Sequence, residues 1–229
     1  MKPEIFNLWV YLSTSPLFGL TATLVAYLVG LYVARRAGLH PLANPVAIAI
    51  AILVPLLWAT GIEYPKYFEG AQFVHFLLGP ATVALAVPLF AQLDTLRRYR
   101  WPLIVGLIAG GAASALSAVA IAWLLGASEE TILSLTSKSV TAPIAMGISE
   151  QIGASPALTA VFCIATGVLG AICGRYVFDA LGLSRWSVRG YALGTAAHGI
   201  GTARAFQVNA EAGAFAGLAL GLHGLIAAV

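Results

Sequence analysis

The chain has 229 residues, of which 60% are hydrophobic and 9% charged, and its net charge is +3. Soluble globular domains carry about 25% charged residues, so this composition excludes a water-soluble globule and fits lipid as solvent. The arginines cluster between apolar runs, and no basic face points to nucleic acid.

The chain opens with MKPEIFNLWVYLSTSP. Glu4 and Asn7 interrupt this stretch, and no small-residue cleavage site follows a clean apolar core. It therefore reads as a short interfacial helix, with Trp9 and Tyr11 at headgroup level, rather than as a signal peptide. A spanning helix needs about 20 mostly apolar residues. The runs that qualify are 16–34, 42–60, 71–93, 102–126, 131–152, 156–178, 188–208 and 211–229. The predicted fold class is all-α. It is a polytopic membrane bundle of about 7–8 segments, forming one integral membrane domain over 1–229.

Positive residues resist translocation. Arg35, Arg36, Arg97, Arg98 and Arg100 then share the cytoplasmic side, and Glu129 and Glu130 lie outside. Beyond that point the signs conflict. If 131–152 spans, Arg175, Arg185 and Arg189 fall outside; if it is re-entrant, they fall inside. The charge rule favours the re-entrant form. A weak internal similarity bears on the same region. LANPVAIAI (42–50) resembles VTAPIAMGI (140–148), and LGPATVALA (78–86) resembles LGTAAHGIG (193–201). Matching Gly/Pro-interrupted segments suggest repeat halves, 16–100 and 101–229, with a transporter-type site between the repeats. A full inverted repeat wants 131–152 to span, so the two arguments disagree.

KSVTAPIAMGISEQIG (138–153) places charge inside an apolar chain. An intramembrane lysine costs about 2.5–3.5 kcal/mol even on the gentler scales. Lys138 either snorkels to an interface or contacts an anion. Pro143 and Gly147 allow a broken helix, whose N-terminus would aim N–H donors at a carboxylate. Ser137, Ser139 and Thr141 would add hydroxyls, unless they back-bond to their own helix. Glu150 lies about 18 Å from Lys138 along a continuous helix and is a coupling or gating candidate. In GTAAHGIGTAR (194–204), glycines allow unwinding. His198 and Thr202 share a face if the stretch is helical. Arg204 would hold a carboxylate in bidentate fashion or snorkel, and His198 would carry a coupling proton or be structural. Glu211 caps the last helix or pairs with Arg204. Cys163 and Cys173 read as small buried hydrophobes.

No CxxC, HExxH, P-loop or GxSxG is present, and the four histidines are dispersed. Neither a metal site, a cofactor nor an enzyme is expected.

These two blocks resemble the LrgB/CidB family of bacterial membrane proteins, as do SPLFGLTATLVAYLVG (15–30), YFEGAQFVHFLLGPATVALAVPLF (67–90) and EAGAFAGLALGLHGL (211–225). One departure is His223, where the family pattern has asparagine. The resemblance implies a multi-pass protein of the bacterial inner membrane, with two competing functions. One is antiholin-like control of murein hydrolase export and lysis, alongside a small LrgA/CidA-type partner. The other is carriage of small monocarboxylates such as glycolate, glycerate or pyruvate, as in the similar plastid glycolate/glycerate translocator, with coupled protons or cations. Carried over by motif, the expected substrate-binding positions are Lys138, Ser139, Thr141, Pro143, His198, Gly199, Thr202 and Arg204. The buried charge and the two broken segments favour a carrier, and its scaffold is expected to form a homodimer.

Overall fold

A computed structural model describes residues 16–77, 80, 90 and 93–227. The expected interfacial helix at the N-terminus and most of segment 71–93 lie outside the described residues. The described chain is helical and falls into two compact units, 1–83 and 84–229.

In the first unit, α1 (Pro16–Arg36) packs against α2 (Pro45–Thr60) and α3 (Tyr64–Phe76). Two glycines make this possible. A Cβ on Gly30 would collide with Pro45, and one on Gly19 with the Tyr67 carbonyl. Asn44 caps α2, its side chain accepting from the amides of Val46 and Ala47 at 2.9 and 3.1 Å. Pro45 therefore starts a helix, at the position where a missing N–H costs least.

The second unit holds α4 (Leu93–Arg98), α5 (Arg100–Leu124), α6 (Glu129–Thr136), α7 (Ala142–Gln151), α8 (Pro156–Ala180), α9 (Trp186–Val208) and α10 (Ala210–Ala227). Four described helices are long and apolar enough to cross a bilayer: α1, α5, α8 and α10. The protein is a multi-pass membrane protein.

Segment 131–152 does not cross. Ser134 and Ser149 both meet Thr159 of α8, while deeper in, the Ser137 hydroxyl donates to the Ala145 carbonyl at 3.3 Å. Positions 134 and 149 are level, and so are 137 and 145, so α6 and α7 are antiparallel. They form a re-entrant hairpin with its tip at 137–141. Ser139 meets Ser114 of α5 at 2.6 Å. Ser114 is about 21 Å along α5 from Arg100 and about 15 Å from Leu124, so the tip stops near mid-membrane. This settles the charge conflict in favour of re-entry.

The second departure is larger. α9 is interrupted at Ala197 (φ −123°, ψ 16°) and His198 (φ 40°, ψ −134°). A straight helix would separate Trp186 from Val208 by about 33 Å, yet both line one cavity. A Cβ on Gly201 would meet the Leu193 carbonyl at 2.8 Å, which only a folded-back chain allows. The arms 186–196 and 199–208 thus form a second hairpin with His198 at its tip. The face that His198 and Thr202 would share in a continuous helix is not formed, because His198 lies outside helical torsions. Instead the Thr202 hydroxyl donates to the His198 carbonyl at 2.8 Å.

The two hairpins enter from opposite ends. The Tyr191 hydroxyl donates to the Leu103 carbonyl at 2.7 Å, and Gly110 faces Thr195, so arm 186–196 runs parallel to α5. It enters from the end bearing Arg97, Arg98 and Arg100. α8 runs the other way, with Gly174 near Leu193 and Gly170 against Ala197. Arg175, Arg185 and Arg189 therefore lie at that same end, while Glu129, Glu130 and Glu150 mark the base of the first hairpin at the other. Gly190 and Gly194 let α10 approach arm 186–196 backbone to backbone, since a Cβ on either would strike the carbonyl of Ala212 or Ala216. Asn209 caps α10 by accepting from the amides of Glu211 and Ala212. Glu211 contributes an acidic side chain to the first turn, where it complements the helix dipole.

Candidate functional site

The two tips meet on either side of Cys163, a fully buried residue of α8. Its thiol contacts the Ser137 carbonyl at 3.8 Å. Its own carbonyl accepts from Nε2 of His198 at 2.7 Å. That carbonyl belongs to a continuous helix, so reaching it requires space one turn on. Gly167 supplies the space: a Cβ there would lie 2.8 Å from Cε1 and 2.9 Å from Nε2 of His198. His198 holds a positive φ that side chains rarely adopt, and such strain persists where surrounding contacts over-determine it. The bond to Cys163 and the packing against Gly167 are those contacts.

At the first tip, the half-buried Lys138 donates from Nζ to Ser114 Oγ at 2.9 Å and to Ser139 Oγ at 3.3 Å. It does not reach an interface, so the snorkelling alternative falls away. Thr141 occupies the N-cap position of α7 but makes no side-chain cap, and Pro143 sits in the first turn without an N–H. The remaining first-turn amides have no acceptor within their own helix. The helix break lies before the proline, in 137–141, rather than at it.

Beside this tip lies a cavity of about 400 Å³. Leu107, Ile108, Val140, Ile148 and Ile226 form apolar walls, while Thr136, Ser137, Ser139 and His223 are the polar lining. His223 comes from α10. Its Nδ1 donates to the Thr195 carbonyl at 2.9 Å, a carbonyl left without its helical partner by the break at His198. The other ring nitrogen, Nε2, lies against Gly111 on the cavity wall. The first tip therefore carries an ammonium, hydroxyls and uncapped amides, and the apolar space beside it is met by Ser137, Ser139 and an imidazole nitrogen.

Of the residues expected from sequence, Lys138, Ser139, Thr141 and Pro143 gather at the first tip. His198, Gly199 and Thr202 gather at the second. Arg204 stands apart, lining a separate cavity with Arg175 and Arg189. Glu150 is exposed at the base of the first hairpin. The sequence held no sign of Ser114, Gly167 or the bridging role of Cys163, and it offered His223 only as a departure from the family pattern. A serine in an alanine-rich helix and a cysteine in an apolar run carry no signal of their own. Cys163 and Cys173 are not paired, and Cys173 is exposed. Among the described residues no group of side chains is arranged to hold a metal ion.

Two opposed half-membrane hairpins, meeting among spanning helices, define a multi-pass membrane protein with a polar site buried at mid-depth. The chain belongs to the LrgB-like family, which it matches over residues 23–229. Among its relatives, the uncharacterized protein YwbG of Bacillus subtilis is 37% identical over 177 residues, covering 77% of this chain and 79% of the relative. The holin-like protein CidB of Staphylococcus epidermidis is 28% identical, over 83% of each chain. The antiholin-like protein LrgB of Bacillus cereus is 28% identical, over 94% of each. No solved structure matches the chain significantly.

Proposed function

We propose that the protein is a secondary carrier of small monocarboxylates that works by alternating access, with a proton accompanying the anion. The observation that carries this reading is the meeting of two opposed hairpin tips at Cys163, with Lys138 on the first of them. Half-helix ends at the midplane suit an anion, since they present free N–H groups and partial positive charge. In the proposed mode the carboxylate enters the 400 Å³ cavity and accepts from Ser137, Ser139 and the first-turn amides of α7. Lys138 supplies charge from behind. The apolar walls favour a pyruvate-like acid over a polyhydroxy acid. His223 is the proposed proton carrier. Its Nδ1 is committed to Thr195, so Nε2 takes the proton, and the imidazolium then donates to the anion. The two hairpins serve in turn as gates. By the positive-inside rule the arginine end faces the cytoplasm of a bacterial inner membrane, and the scaffold forms a homodimer.

A second reading rests on the printed names of the relatives. It makes the protein a holin-like or antiholin-like regulator of murein hydrolase export and lysis, working with a small LrgA/CidA-type partner.

The test is uptake of labelled pyruvate, glycolate and glycerate into proteoliposomes, with and without an inward proton gradient. Saturable uptake is expected. It should fall to background in Lys138→Ala, and in His223→Asn it should persist without its stimulation by the gradient. Absence of uptake, together with leakage of larger solutes, would favour the holin-like reading.

A further inference from the structure

The fold-back of α9 has a second result, at the arginine end of the unit. Arg175 and Asp179 come from the last turns of α8, Trp186 and Arg189 from the entering arm, and Arg204 and Val208 from the returning arm. All six line one cavity of about 330 Å³. Asp179 is the one carboxylate on its wall among the described residues. It accepts from Arg189 at 2.6 Å and lies 3.6 Å from Arg175. Arg189 is also fixed by the Leu183 carbonyl and sits over the rings of Phe178 and Trp186, at 5.8 and 5.5 Å. It is a structural strut.

Three guanidiniums against one carboxylate leave two positive charges in excess. Arg175 and Arg204 are close enough to repel one another, and Arg204 is half-buried with a contact to Gln207 at 3.5 Å. Like charges held around one cavity are costly unless an anion stands between them. The location identifies the anion. The cavity lies at the end of a spanning helix and carries a tryptophan, the residue suited to headgroup depth. Phe178, Leu193 and Val208 make much of its wall apolar. Trp186 and Val208, which line the cavity, are 38% and 47% exposed and carry its apolar wall out to the surface. A small hydrophilic anion would leave that surface unused.

We propose that this cavity binds the headgroup phosphate of an anionic phospholipid between Arg175 and Arg204, with an acyl chain lying along Trp186 and Val208. Basic pockets between spanning helices are suited to such headgroups, and guanidinium forks match phosphate oxygens. The site is separate from the hairpin tips and does not rest on the carrier reading.

The experiment uses the full-length protein in neutral detergent, titrated with phosphatidylglycerol, phosphatidylcholine or inorganic phosphate. Binding is followed by native mass spectrometry and thermal unfolding. Phosphatidylglycerol is expected to stay bound and raise the unfolding temperature, while phosphatidylcholine does neither. Arg175→Gln/Arg204→Gln should weaken phosphatidylglycerol binding at least tenfold. A second measurement on otherwise unaltered protein covers the case in which the double variant does not fold. Phosphatidylglycerol with brominated chains should quench tryptophan emission more than brominated phosphatidylcholine, and the excess should vanish in Trp186→Phe. Equal binding or equal quenching by the two lipids would overturn the proposal. So would undiminished phosphatidylglycerol binding by the double variant. Displacement of the lipid by millimolar inorganic phosphate would assign the cavity to a free anion instead.

Discussion

At the residue scale, the site depends on an absence as much as on its polar groups. Nε2 of His198 reaches the Cys163 carbonyl because position 167 has no side chain. Gly167→Ala should push the ring away and remove the bond that holds a strained tip. Overpacking of this kind costs about 1–3 kcal/mol. Thermal unfolding in detergent should register that loss, and proteoliposome uptake should fall with it, whereas Gly147→Ala, at a position with open space, should change neither. Lys138 and Ser139 were legible in the sequence because charge in an apolar chain demands a reason. Ser114 and Gly167 were not legible. Their roles arise from what another helix places opposite them, which local composition does not encode.

At the element scale, the first hairpin was legible and the second was only half so. For 131–152 the arginine distribution favoured re-entry, and the Lys-Ser-Val-Thr-Ala-Pro run marked the break. For 188–208 the glycines indicated unwinding. Nothing in the pattern indicated full reversal, because either arm reads as helix and the turn is made by two residues, Ala197 and His198, that leave helical torsions. The reversal is stabilised elsewhere. Gly190 and Gly194 let α10 pack on the entering arm with the carbonyls of Ala212 and Ala216 in the way of any Cβ. Those obstacles are backbone and cannot move aside as a side chain can. Gly190→Ala should therefore destabilise the protein more than Gly167→Ala does, by about 3 kcal/mol or more. The check is a side-by-side comparison of unfolding temperatures and of monodisperse yield. Asn209 was also missed as the cap of α10, since attention fell on Glu211, two residues on.

At the scale of the whole molecule, the second unit segregates its charge. Every arginine from Arg97 to Arg204 lies toward one end, and Glu129, Glu130 and Glu150 lie at the other. Two segments that cross only halfway make this consistent. The arrangement predicts sidedness directly. In a Cys173→Ser background, Glu130→Cys and Gly153→Cys should react with a membrane-impermeant maleimide from the same side. Arg185→Cys should react from the opposite side. If 129–152 crossed the membrane, positions 130 and 153 would label from opposite sides instead.

Tips that meet at mid-depth also reshape the membrane's electric field. With water admitted along one hairpin or the other, the voltage drops across the short stretch between the tips rather than across the full bilayer. A lone anion moving a few ångströms past Lys138 would then cross most of the potential, at about 2.3 kcal/mol per 100 mV. In a cell with a negative interior that work opposes uptake. On the proposed carrier reading, a proton carried on His223 would cancel the moving charge, so the pair would travel electroneutrally and the voltage would drop out of the energetics.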